Sequence, residues 1–227
     1  MPPDTPQQPL ALALPDGTSA SALLDAPPRP RAAFVLAHGA GAGMHHPFLA
    51  AIAAGLVARQ VAVLRYQFPF MEQGRRRTDP PAVAQACVRA AVAEAAGRLP
   101  RVPLFAGGKS FGGRMTSQAQ AAQPLPDVLG LAFLGFPLHP AGRPSTDRAA
   151  HLRQLRLPLL FLQGTRDTLA ELELIRGVAH SLGPTASLHV VEGADHGFDV
   201  LVRSGRTREE VLQELLDTLV AWMRALS

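Results

Sequence analysis

Three features of this sequence predict an α/β fold, with about eight strands in a mostly parallel sheet and helices on both of its faces. From residue 31 onward, short apolar runs alternate with longer segments of helical patterning. The runs are continuous rather than alternating, as strands buried on both faces require. Proline and glycine punctuate the junctions between them. Hydrophobic residues make up 47% of the chain and charged residues 18%, enough apolar material for a sizeable core.

The elements follow in order. "LALALPDGTSASALLDAP" predicts two short strands joined by a Pro-Asp-Gly turn. "RAAFVLA" (31–37), a continuous apolar run behind Arg31, is the first strand of the parallel pattern; helical patterning at 47–59 and the strand "VAVLRY" (61–66) come next. Residues 80–98 are Ala-rich behind a proline pair, a good helix start. "VPLFAG" (102–107) predicts a strand, 111–122 a helix and "VLGLAFLG" (128–135) a strand. A Pro-rich loop and a short helix around 146–154 lead to "LPLLFLQG" (157–164). A helix at 169–181, the strand "ASLHVVE" (186–192) and an amphipathic helix at 207–225 complete the pattern. No repeat or low-complexity linker interrupts it, so one domain is expected over 1–227. Right-handed crossovers would gather ligand-binding groups at the carboxyl ends of the strands.

Composition excludes several classes of function. The net charge is only +4, and a nucleic-acid-binding face needs clustered charge rather than a small excess. The pI is 10.4 because nearly every base is arginine; Lys109 is the only lysine. Cys87 is the only cysteine, so neither an intrachain disulfide nor a CxxC metal site can form, and its helical setting reads as core packing. "MPPDTPQQP" lacks the basic and apolar segments of a secretory signal, and no apolar run of about 18 residues is present to span a membrane. The expectation is a cytoplasmic protein, a monomer or small homo-oligomer, with a small-molecule substrate and no cofactor.

The chemistry concentrates in "LFAGGKSFGGRM" (104–115). A phosphate-binding loop would need a glycine five residues before Gly108, where Pro103 stands, and strand-like residues fill the interval. The Gly-x-Ser-x-Gly frame fits instead: a strand runs into Ser110 and a helix starts at once, the sharp turn that exposes a nucleophilic hydroxyl. Such a serine needs a base and an acid. His196 follows the last predicted strand, between Gly193 and Gly197, and Asp167 ends the strand before it. The chain order Ser, Asp, His suits this turn. Asp195 and Asp199 compete as the acid but are too near His196 in sequence to reach its Nδ1 readily. Ser110 would attack, His196 would move the proton and Asp167 would orient the imidazole. An oxyanion hole would draw on the amide of Phe111 and, from the Gly-rich loop His38–Phe48, on that of Ala40 first and Gly41 second. A metal reading of His38, His45 and His46 is weaker, since the loop holds no carboxylate or cysteine.

With these parts in register the chain resembles the α/β-hydrolase superfamily over nearly its whole length. "LAHGAGAGMHHPF", "LRYQFPFMEQGRRRTDPP", "GGKSFGGRM", "LGFPLHPAGRP", "LQGTRD" and "GADHGF" are similar to a dienelactone-hydrolase-like branch. That branch includes relatives of testis-expressed hydrolase-like proteins and of an NSL histone-acetyltransferase complex subunit. True dienelactone hydrolases use a cysteine where this chain has Ser110, so lactone chemistry does not carry over. The resemblance implies a serine hydrolase. A carboxylesterase is the leading reading; a peptidase or amidase, or an interaction protein that kept only the fold, are the alternatives.

Two loops bear on substrate. Arg65 ends a strand, so it and Arg75–Arg77 are placed to capture an anionic group, against a plain solvated-loop reading of the arginine run. Phe136, Pro137 and His139 are candidates for the pocket wall, and His38 for a substrate contact, although Pro-rich packing would give the same pattern. About 20 residues separate the strands on either side of that loop, too few for a multi-helix lid. An open site suited to small soluble esters is expected.

Overall fold

The computed structural model describes residues 7–227; the first six residues of the stretch read for a signal lie outside the described residues. Strands β1 (Gln8–Ala13) and β2 (Ser19–Asp25) form an antiparallel hairpin, and Asp16 Oδ1 closes its turn by accepting from Thr18 N and Oγ1. The strands β3 (Ala32–Ala37), β4 (Val61–Tyr66), β5 (Leu104–Lys109), β6 (Val128–Leu134), β7 (Leu159–Gly164) and β8 (Ala186–Val191) complete one eight-stranded sheet. Its order is β1-β2-β4-β3-β5-β6-β7-β8, parallel throughout except where β2 meets β1 and β4.

The pleat distributes each central strand between two cores. Ala33, Val35 and Ala37 of β3 face one side of the sheet; Ala32, Phe34 and Leu36 face the other. Helices α1 (Pro47–Ala58) and α6 (Arg208–Leu226) cover the second side. On the first side lie α3 (Pro81–Arg98), α4 (Phe111–Ala122) and α5 (Leu172–Leu182), together with the 3₁₀ stretch Asp147–Gln154. The helix ends obey local chemistry: prolines open α1 and α3, and a reciprocal Thr207–Glu210 capping box opens α6. Cys87 is buried inside α3, where loss of solvation pushes its thiol up to about 12. Trp222 sets its ring 5.5 Å from Phe105, within the second core.

Most elements lie within two residues of the sequence expectation; two starts and one extra helix have a clear physical reason. The strand expected at 102–107 runs Leu104–Lys109, because the β3 and β6 ladders hold it through the glycine pair to Lys109. The helix expected from 169 begins at Leu172: Leu169 N donates to Asp167 Oδ1, and its carbonyl accepts from Leu138 and His139. One short helix, α2 (Pro69–Glu72), was not expected; a single turn leaves no periodicity to read. Between Leu134 and Leu159 the 3₁₀ stretch is the only helical element, so nothing folds over the carboxyl edge of the sheet there as a lid.

Candidate active site

Ser110 stands between β5 and α4 with φ 49° and ψ −113°, a left-handed backbone that a non-glycine residue adopts at a cost of about 1–3 kcal/mol. Its neighbours explain how the turn is held. A Cβ on Gly108 would lie 2.3 Å from the Ala37 carbonyl oxygen, and one on Gly112 would lie 2.5 Å from that of His38. Only glycine lets the turn press this closely against the end of β3. The strain lifts the hydroxyl out of the sheet edge.

His196 sits in the loop after β8 and joins two residues from other strand ends. Its Nε2 is 2.9 Å from Ser110 Oγ, and its Nδ1 is 2.7 Å from Asp167 Oδ2. A carboxylate can only accept, so Nδ1 carries the hydrogen and Nε2 is left to accept from the serine hydroxyl. Asp167 is held on every side: Oδ1 accepts from Leu169 N at 2.8 Å, and Oδ2 accepts from Gln163 Nε2 at 2.5 Å. Gln163 also accepts from Phe136 N, fixing its amide. Sequence reasoning missed Gln163, although a glutamine inside "LLFLQG" is a polar group in an otherwise apolar strand, which was the available signal. The competing carboxylates are engaged elsewhere. Asp195 Oδ1 accepts from Gly197 N and Asp199 N, bracing the histidine's own loop, and Asp199 pairs with Arg208 at 2.7 Å.

Phe111 is the first residue of α4, where an amide has no intrahelical acceptor. Across from it, Ala40 and Gly41 line the same open cleft as Ser110 and His196. The cleft measures about 450 Å³ and takes its apolar lining from Phe48, Leu49 and Leu169. Phe48 stacks on Phe198, centroids 5.7 Å apart, dividing this cleft from a second one toward α6. Phe48, Leu49 and Leu169 carried no sequence signal beyond their hydrophobicity.

The expected substrate contacts need correction. Arg65 does not reach the cleft: its side chain is 2% exposed and pairs with Asp25 of β2 at 2.8 Å. Its Nη1 donates to Met44 O, so it braces the loop after β3 from behind. Glu72, another possible partner, instead accepts from the backbone and hydroxyl of Ser21. His38 is also buried, donating from Nδ1 to Gly39 O at 2.7 Å and accepting Phe68 N–H at Nε2. Burial lowers its pKa to about 4, so the ring stays neutral and pins the glycine-rich loop. With His38 occupied on both nitrogens and His46 capping α1 at Phe48 N, the loop histidines do not converge on one point. His139 is buried against Pro140 O, away from the cleft lining, and Phe136 packs between Phe133 and Phe161. Arg75 pairs with Asp79 and Gln73, while Arg76 and Arg77 face solvent outside the cleft.

A buried carboxylate, an oriented imidazole and a half-buried serine hydroxyl lining one cleft form an arrangement able to generate an alkoxide-like nucleophile. No helix among the described residues is long and apolar enough to cross a membrane. Comparison with solved structures finds the same architecture. An α/β serine hydrolase homologue from Coxiella burnetii is 18% identical with a TM-score of 0.75, covering 97% of each chain. A lidless α/β serine hydrolase from Xanthomonas campestris is 21% identical, TM-score 0.75, covering 96% of this chain and 95% of its own. A dienelactone hydrolase from Anabaena variabilis is 16% identical, TM-score 0.77, covering 97% and 98%. At these identities the likeness speaks for the fold. The sequence model of the alpha/beta hydrolase domain matches residues 30–224, and the chain belongs to that family.

Proposed function

We propose that the protein is a serine hydrolase working through Ser110, His196 and Asp167 and an acyl-enzyme, a carboxylesterase for small soluble esters in the cytoplasm. The observation that carries this reading is the continuous pair of hydrogen bonds from Asp167 through His196 to Ser110, opening on a cleft. His196 takes the Ser110 proton as Oγ attacks the ester carbonyl, then returns it to the leaving alcohol; water repeats the sequence on the acyl-enzyme. Asp167 keeps the imidazole in the required tautomer and stabilises the imidazolium. The amides of Phe111 and Ala40, with Gly41 next to it, are the donors proposed for the tetrahedral oxyanion, each worth about 2.7–4 kcal/mol in such sites.

Supporting the substrate class are the open cleft and, among the described residues, the lack of any helical lid over it. The narrower resemblance, to the branch holding testis-expressed hydrolase-like proteins and an NSL-complex subunit, rests on the six sequence blocks alone. An interaction protein that had lost catalysis would have no use for the strained serine or the buried Asp167–Gln163 support. Fluorophosphonate labelling followed by peptide mapping tests the reading, with a panel of p-nitrophenyl esters and anilides of graded length beside it. Stoichiometric adduct on Ser110 and turnover of acetyl or butyryl esters is the expected result. No adduct on folded protein would reject it.

A further inference from the structure

Lys109 precedes Ser110 and is the chain's only lysine. Its side chain stays inside the site. From the end of β5 it passes Gly135, where a Cβ would lie 3.0 Å from Nζ, and donates to the backbone oxygen of His196 at 2.5 Å. His196 belongs to the loop after β8, and β5 and β8 are separated in the sheet by β6 and β7. Strands three places apart are about 14 Å apart, so that loop must fold back to meet Ser110. Two contacts from adjacent residues hold it there: Ser110 on the imidazole and Lys109 on the main chain of the same histidine.

We propose that Lys109 is a positioning residue, a strut from the nucleophile's strand that fixes the main chain of His196 so that its imidazole stays at hydrogen-bonding distance from Ser110 Oγ. The proposal rests on the serine-hydrolase reading above. A compact ammonium on a four-carbon stem suits the space. It fits beside Gly135 with the Phe198 ring 5.5 Å away, where a planar guanidinium fork would need more width. That accounts for a lysine here in a chain that otherwise uses arginine.

The charged groups around the ammonium are Asp167 from the β7–α5 loop and Asp195 from the loop after β8; the neutral His196 imidazole is the other titratable neighbour, and Gly135, just after β6, adds no charge. Burial lowers the Lys109 pKa to about 8, against the pull of Asp167 and Asp195. Above that pH the strut keeps N–H donors but loses its charge, and a charge-assisted bond is roughly twice as strong as a neutral one. A histidine displaced by even 1 Å can slow catalysis by about a hundredfold.

Lys109→Met keeps the stem and removes the donor. The expected result is a fall in kcat of about 10- to 100-fold on p-nitrophenyl acetate with KM nearly unchanged, since misplacement acts on the transition state. The fluorophosphonate labelling rate should fall in step. The wild type is expected to lose kcat as the pH rises through about 8, and the variant should not. Lys109→Cys, assayed before and after alkylation with 2-bromoethylamine, gives the decisive rescue within one folded preparation, and the buried Cys87 thiol does not compete. Recovery on alkylation, with no recovery in Lys109→Arg, supports the strut. Wild-type kcat and pH profile in Lys109→Met, or a loss in Lys109→Cys that alkylation does not restore, overturns it. Should Lys109→Met not fold, the alkylation pair decides alone. Failure of the underlying reading looks different: the wild type would then carry no adduct on Ser110.

Discussion

Two buried carboxylate pairs show how similar ingredients serve different ends in this molecule. Asp25 and Arg65 lock β2 to β4, with side chains 8% and 2% exposed and the remaining Nη1 donor spent on Met44 O. Asp167 and His196 are as close, at 2.7 Å against 2.8 Å, and Asp167 is fully buried. The imidazole, however, is 25% exposed and keeps its second nitrogen on Ser110. The first pair is closed: each strong group ends on another protein group. The second is closed on the acid side and open on the base side. A buried charge pair is therefore no sign of a site by itself. A satisfied acid beneath a base with one free face is.

The largest test of this contrast opens the second pair. Ser110→Ala should lower ester hydrolysis by about four or more orders of magnitude, and Asp167→Asn should lower kcat by about 10⁴ by favouring the wrong tautomer. Circular dichroism should be unchanged in both. Retention of most activity in either folded variant would remove the distinction between the pairs. Breaking the first pair should do the opposite. Arg65→Met leaves Asp25 buried without its cation, and about 3–5 kcal/mol of stability should be lost in urea unfolding. The ratio of rates on hemisuccinate and neutral esters of equal length should not move, because Arg65 never meets substrate. A shifted ratio would return Arg65 to the cleft.

The neutral His38 gives the next effect. Its folded pKa of about 4 lies below the ordinary histidine value near 6.5, so between these the unfolded chain binds the extra proton. Its contribution is complete above pH 6.5 and is lost as the pH falls through about 4, at up to about 1.4 kcal/mol per pH unit. His151, lowered to about 4 by burial and by Arg114, adds in the same direction. Urea midpoints from pH 7 to pH 4.5 should fall more steeply for the wild type than for His38→Gln; parallel lines would count against a buried neutral ring.

On the open side of the second pair, acetyl to butyryl esters should exceed dodecanoyl esters by about tenfold in kcat/KM, or 1.4 kcal/mol. A preference for long chains would mean that the cleft and its neighbour behind Phe48 act together as a tunnel. The smallest change touches neither pair directly. Thr207→Ala, which removes the α6 cap, should cost about 1 kcal/mol of stability and leave kcat alone.

Most of the strand and helix order was legible because the short, largely apolar runs 31–37 and 61–66, bounded by turn residues and alternating with longer helical patterns, fit buried strands. Ser110, Asp167 and His196 were singled out because each follows a strand in the expected chain order, and the fold brings their side chains within hydrogen-bonding distance. Arg65 misled because its partner lies forty positions earlier, on the one antiparallel strand beside β4. From sequence the end of a parallel strand faces the cleft; here the pleat turns this side chain away from it. His38 misled in the same way, since a glycine-rich loop gives no hint of which side chains fold underneath.

The sequence by itself determined the strand–helix alternation, the glycine-framed turn at Ser110 and the identity of the residues at the strand ends. These depend on local sterics and on hydrophobic burial, which a residue's own neighbours largely set. Tertiary structure alone decided which polar groups were saturated and which were left free. It spent Arg65 on Asp25 and His38 on Phe68, set Gln163 beneath Asp167, and brought Lys109 to the main chain of His196. Hydrogen-bond saturation is a property of space, and groups distant in sequence meet only when the sheet order and the pleat of each strand bring them together.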